Sequence, residues 1–253
     1  MLVMTFNLRF ATPLDGPNEW QYRQDLVVEI IRRRRPDLLA TQEGTVPMLR
    51  FLEAELKEYL PLTAHRQVDE TCQYPTIFYR AGRFTVLESR EFWLSQTPEV
   101  HRSLSWGSAF PRMVTFGLFQ EQGREPFYFL DTHLDHVSAE ARLHGARMIR
   151  DFFVPLKRPM ILAGDFNEPP EGAVYLELVQ NGAGPFLDTW RALHSPAEEA
   201  TTQHQFDGAP RGARIDWILL TPTFQVRRVA IVTDSQDNRY PSDHFPYEVE
   251  VDY

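Results

Sequence analysis

The chain has a single cysteine, Cys72, so no intramolecular disulfide can form and a reducing compartment is its simplest setting. No base stands beside Cys72 in a nucleophile pattern, and it reads as a filler residue near a strand. No stretch approaches the roughly 18 apolar residues of a membrane span. The opening MLVMTFNLRF lacks a basic segment followed by an apolar one, and it lacks a small-residue cleavage site, so a cytoplasmic location is expected. Basic excess is also missing. A formal net charge of −9 argues against tight, sequence-independent binding of nucleic acid. It leaves a nuclease open, because a local patch or bound cations can serve. There is no Cys/His cluster and no HExxH, which disfavours zinc. There is no internal repeat and no low-complexity linker, and proline and glycine are scattered among short loops. Residues 1–253 therefore read as one domain.

What is present is a globular composition: 43% hydrophobic residues and 13% aromatic ones are enough for a substantial core. Leu2 to Leu8 reads as a buried strand. Asn18 can cap a helix running to about Arg34, with Val27, Ile30 and Ile31 on one face and Pro36 ending it. Asp37 to Gln42 is a short strand, and Thr45 opens a helix with Leu49, Leu52 and Leu56 on one stripe. Strands then follow at 76–80, 84–94, 112–120 and 127–133, with a hairpin signal at 123–126. Ser138 caps a further helix, Pro159 to Gly164 is an apolar strand, and a helix covers about 173–180. Strands at 213–220, 224–232 and 245–251 close the chain. So many consecutive strands do not fit a purely parallel doubly wound sheet. Two mixed sheets packed face to face with helices outside, an α/β four-layer sandwich, fit better.

The informative positions are polar groups at the ends of apolar strands, because a buried carboxylate or imidazole is costly unless paired or bound to metal. Asn7 ends the first strand, and Glu43 follows the second. Each has an ordinary alternative, as a turn residue and as an acid near a helix start. Asp131, His133 and Asp135 share a face while that segment stays extended. Asp165 and Asn167, in PMILAGDFNEPP, also share a face if the chain is extended there, and such a pair can hold an attacking water. A plain Gly-Asp turn is the competing account. Asp216 sits inside ARIDWILL, where it either pairs with Arg214 or holds a histidine. Asp243 and His244 precede the last strand. Adjacent strand residues point to opposite faces, so these two converge only if Pro241 and Pro246 make the chain irregular. Hard oxygen and amide ligands dominate, which suits Mg²⁺, with Mn²⁺ as a substitute.

Taken in order, TFNLR, QE, IFYR, THLDH, GDFN, RIDWIL and SDH resemble the endonuclease/exonuclease/phosphatase superfamily, whose fold is that of pancreatic deoxyribonuclease. The stretch FWLSQTPEV…SWGSAFPR resembles a bacterial subgroup related to deadenylase-type members. The resemblance implies a Mg²⁺-dependent hydrolase of phosphoesters. Glu43 would be the main metal ligand, with Asn7 and Asp243 beside it. Asp165 and Asn167 would orient and deprotonate water, Asp216 would hold His244 against the phosphate, and His133 would bind a phosphate oxygen from the other side. Relatives often carry an acid just before IFYR to brace the histidine of THL, and here Gln73 is the nearest match, which would leave His133 less basic. Trp106 and Arg112 are candidates for lining a substrate pocket. The expected substrate is a phosphorylated small molecule or a nucleotide. A nuclease, including a deadenylase-like 3′-5′ exonuclease, is the alternative, and a catalytically inactive binding module is a third. Arg32–Arg35, the only basic run, is expected to offset a helix dipole. No protein partner can be inferred.

Overall fold

The computed structural model describes residues 1–179 and 184–253. In chain order the elements are β1 (Leu2–Asn7), α1 (Trp20–Arg34), β2 (Leu38–Thr45), α2 (Val46–Glu55), β3 (Tyr59–Pro61), β4 (Gln73–Arg80), β5 (Phe84–Trp93) and β6 (Met113–Glu121). They continue with β7 (Phe127–His133), α3 (Ala139–Phe153), β8 (Met160–Asp165), α4 (Ala173–Leu178), β9 (Leu187–Asp188), β10 (Asp216–Leu220), β11 (Gln225–Ile231) and β12 (Tyr247–Asp252). One six-stranded sheet has the order β11-β12-β1-β2-β4-β3, and the other β5-β6-β7-β8-β10-β9. Both are mixed. β1 is parallel to β2 and antiparallel to β12, while β7 is parallel to β8 and β8 antiparallel to β10.

The period-2 alternation of each strand decides the layers. Val3, Leu38 and Ala40 share a buried cluster with Phe129, Ile161, Ala163 and Ile218, so these faces of the two sheets meet. The alternate residues Met4, Phe6 and Leu39 pack with Val27, Ile30 and Ile31 of α1 and with Leu49 and Leu52 of α2. Leu130, Leu162 and Leu219 pack with Ile149 and Phe153 of α3 and Val174 of α4. The result is helix–sheet–sheet–helix, the expected four-layer sandwich. Each fully buried side chain of this kind contributes about 1.5–3 kcal/mol.

Local details depart from the sequence reading. Asn18 closes a 3-10 segment, Pro13–Asn18, and Glu19 takes the N-cap of α1 without a side-chain bond. Ser138 caps α3 as expected, its Oγ accepting from the Ala141 amide at 3.1 Å. α4 ends at Leu178, and Gln180, the expected helix end, lies outside the described residues. β10 starts at Asp216 rather than Ala213, because the preceding residues are engaged by Thr202 instead of a neighbouring strand. The basic run stands in the last turn of α1, and its side chains are taken up in ion pairs: Arg32 with Glu55, and Arg33 and Arg34 with Asp234.

Toward one edge the inter-sheet face turns polar. Along β1 it reads Val3, Thr5, Asn7; along β2, Leu38, Ala40, Gln42; along β7, Phe129, Asp131, His133; along β8, Ile161, Ala163, Asp165. All of these residues are buried. The polar ends of four strands from two sheets thus meet at one place.

Candidate active site

Strand register builds the centre of this edge. His133 stands opposite Asp165 across β7–β8, and Asp165 stands opposite Asp216 across β8–β10. The three side chains therefore form one row on the second sheet. Asn7 faces the row from the first sheet and donates through Nδ2 to Asp165 Oδ2 at 2.9 Å and to Glu43 Oε1 at 3.2 Å.

Glu43 reaches this position through a break in register. The pairing of β2 with β4 shifts between Thr41 and Gly44, and Glu43 has φ 64°. A bulge re-aims the side chain that a regular strand would turn away. The other oxygen, Oε2, accepts from the Phe10 amide at 2.9 Å.

Asp165 and Asn167 come together by a turn rather than by extension. Asn167 has φ 50°, and its amide donates to Asp165 Oδ1 at 2.8 Å, an Asx turn. The Asn167 Nδ2 then sits 3.0 Å from His133 Nε2 and donates to the Leu134 carbonyl at 3.0 Å. Asp135 leaves the face shared by Asp131 and His133. β7 stops at His133, and Asp135 accepts from the Val137, Ser138 and Ala109 amides.

His244 is seated on Asp216, with Nδ1 2.9 Å from Oδ2. The competing Arg214 pairing does not form: Arg214 binds Asp188 at 2.6 Å and Glu199 at 2.8 Å. The irregular chain at 242–244 is held by Ser242, whose hydroxyl donates to the Asn7 carbonyl at 2.6 Å and lies 3.2 Å from Asp243 Oδ1. Asp243 in turn faces Arg9 Nε at 3.9 Å.

The electrostatics divide the imidazoles. Burial disfavours a charged His244, but the Asp216 carboxylate, helped by Asp165 and Asp243, outweighs it and raises the ring to about 10. Burial holds His133 well below its ordinary value, and the nearby Arg112 guanidinium adds to this. A neutral ring accepting from Asn167 agrees with that. Burial, then Asp216, raises Asp165.

Over most of this length the sequence matches a known profile: the family model described as Endonuclease/Exonuclease/phosphatase family covers residues 4–244. The chain belongs to this family. Its members hydrolyse phosphoester bonds. Among solved structures, a functionally unknown conserved protein from Enterococcus faecalis is 32% identical with a TM-score of 0.89, covering 100% of this chain and 99% of that one. The mannosyl-6-phosphatase of Bacteroides thetaiotaomicron is 28% identical with a TM-score of 0.90, covering 100% of both chains. The human Nocturnin catalytic domain, solved with a sulfate anion, shares the fold at 19% identity and TM-score 0.74, covering 100% of this chain and 93% of that one.

In this family member two expected site residues have partners of their own. The Arg112 side chain is nearly buried, 3.5 Å from Asp135 and 3.3 Å from His136 Nδ1, and its charge acts on His133 and Asp165. Trp106 stacks on His144 of α3 at 4.4 Å and gives its carbonyl to the Ser138 hydroxyl. Gln73 makes no hydrogen bond to His133 among the described residues; burial and Arg112 set that ring's basicity instead. Arg23, unremarked in the sequence of α1, is a buried latch. Its guanidinium donates to the carbonyls of Leu8, Arg9, Asn18 and Pro241, tying the end of β1 to the loop before Asp243. The amphipathic pattern of α1 gives no sign of this, since one arginine facing inward looks like any other.

Proposed function

We propose that this protein is a Mg²⁺-dependent phosphoesterase that hydrolyses a small phosphorylated substrate by in-line attack of water. The single observation carrying this reading is the row His133–Asp165–Asp216, with Asn7 bonded to Asp165 from the opposite sheet and His244 seated on Asp216.

The donor set fits a hard cation. Glu43 and Asp243 would hold it, with the Asn7 amide oxygen, which also accepts from the Arg9 amide at 2.9 Å. Bound there, Mg²⁺, or Mn²⁺ in its place, supplies Lewis acidity toward the phosphoryl oxygens. Asp165, Asp216 and His244 also bring ligand atoms within 4.8 Å of one another. In that group His244 Nδ1 and Asp216 Oδ2 pair with each other, and Asp216 Oδ1 is buried without a partner among the described residues.

Asp165 and Asn167 position the attacking water, and Asp165 accepts its proton as the new O–P bond forms. His244, kept charged by Asp216, stabilises negative charge on the phosphoryl group. His133 acts as a neutral hydrogen-bonding ring that holds the Asn167 amide, and Arg112 supplies the cation on that flank. The P–O bond to the alcohol breaks, and the departing oxygen takes a proton from water. Trp106 supports the adjacent loop.

The likeness to a mannosyl-6-phosphatase supports phosphorylated sugars as the substrates to try first. A single free cysteine, which is buried, accords with a cytoplasmic setting. The test is a panel of sugar phosphates, nucleotides, bis(p-nitrophenyl) phosphate, poly(A) and DNA, with Mg²⁺ and with EDTA. Sugar phosphates should turn over and EDTA should abolish activity. His244→Ala and Asp165→Asn should each lose about 10²–10⁴-fold in rate while staying folded. Activity surviving EDTA would sink the metal mechanism. Preference for poly(A) would transfer the assignment to a nuclease, and no turnover at all would leave a binding module.

A further inference from the structure

The dyad of His244 and Asp216 joins two segments that are distant in sequence, and a third segment fastens both. Thr202 is completely buried. Its Oγ1 accepts from the Ile215 amide at 3.2 Å and the Asp216 amide at 3.3 Å. Its carbonyl accepts from the Phe245 amide at 2.7 Å. Two residues on, the His204 amide donates to the Asp243 carbonyl at 2.9 Å, so Gln203 and His244 form an antiparallel bridge. One residue therefore holds the backbone of Asp216 with its side chain and the backbone beside His244 with its main chain.

We propose that Thr202 is a positioning residue that sets the distance and angle between His244 and Asp216. The geometry shows why the hydroxyl is needed. Asp216 is the first residue of β10, so its amide lies at a strand start, and the preceding Ile215 carbonyl is taken by the Phe166 amide. Without an acceptor at Oγ1 two buried amides lose their partner, and the start of β10 keeps only the Phe166 bond to the Ile215 carbonyl and the pairing with β8 to fix it. His244 would stay fixed through the Thr202 carbonyl while Asp216 moved relative to it. Displacement of a reacting group by about 1 Å can cost on the order of a hundredfold in rate.

This inference rests on the dyad having the role proposed above, and the experiment separates the two. Thr202→Val keeps the shape and removes the acceptor. Thr202→Ala leaves room for a water to meet the two amides and is the second variant should the valine protein not fold. Thr202→Ser restores the hydroxyl. With Mg²⁺ and the best substrate of the panel, kcat should fall about tenfold to a hundredfold in Thr202→Val, with less loss in Thr202→Ala and KM nearly unchanged in both. Thr202→Ser should recover to within about threefold of wild type. The His244 Nδ1 proton resonance, read by NMR on the metal-free protein, should shift in Thr202→Val and return in Thr202→Ser. A hydroxyl with a merely structural role would lower the melting temperature and leave that resonance in place. An unshifted resonance, or kcat within twofold of wild type in the folded variants, overturns the positioning role. Retained activity in His244→Ala instead overturns the functional reading, while the resonance still reports on Thr202.

Discussion

Asp131 lies wholly between the two sheets, one pleat inward from His133. Gln42 donates to Oδ1 at 2.7 Å, and Oδ2 has no partner. Burial pushes this carboxyl well above its ordinary value of 3.8, against the opposing Gln42 bond and Arg66 charge. The folded protein therefore holds this proton more tightly than the unfolded chain, whose carboxyl ionises above about pH 4. The unfolded state binds fewer protons there, so stability falls as pH rises from about 4 toward the raised folded value. Asp131→Asn removes that cost. It should raise the urea midpoint above about pH 4 and flatten the fall of that midpoint as pH rises. An unchanged slope would show that Asp131 is ionised in the fold.

At the scale of elements, the last residues of β8 show how a strand end becomes a candidate site. Gly164 has φ 149°, and a Cβ there would meet the Thr132 carbonyl oxygen of β7 at 2.0 Å. The two strands thus approach more closely than any side chain allows, which brings Asp165 level with His133. Gly164→Ala should cost about 3 kcal/mol or more in chemical denaturation, because the clash is with backbone and cannot relax by a rotamer change. It should lose activity as well, since Asp165 is the next residue. The bulge at Glu43 and the Asx turn at Asn167 belong with it: each is a local departure from the strand that turns a side chain toward the site.

At the scale of the molecule, the carboxylates that make the site also contribute to the net charge of −9. The strongest basic run, at the end of α1, is neutralised by Glu55, Asp234 and Glu248. No helix among the described residues is long and apolar enough to cross a membrane. The His244→Ala protein should bind duplex DNA with a Kd no tighter than about 10 µM at physiological salt in a mobility-shift assay. Tighter, strongly salt-dependent binding would favour the nuclease reading.

The succession of strands in the sequence by itself determined the sandwich, because so many consecutive strands do not fit a purely parallel doubly wound sheet and two mixed sheets packed face to face can bury them. Motif order by itself singled out Asn7, Glu43, His133, Asp165, Asn167, Asp216, Asp243 and His244. Tertiary structure decided what these residues face. Arg214 was an equally good partner for Asp216 in sequence, yet Asp188 and Glu199 take it, because they come from segments whose distance along the chain carries no information about proximity. The same holds for Arg23 and Thr202, whose partners are main-chain groups. A backbone amide or carbonyl is identical at every position of a sequence, so only the fold can show which one a side chain will meet.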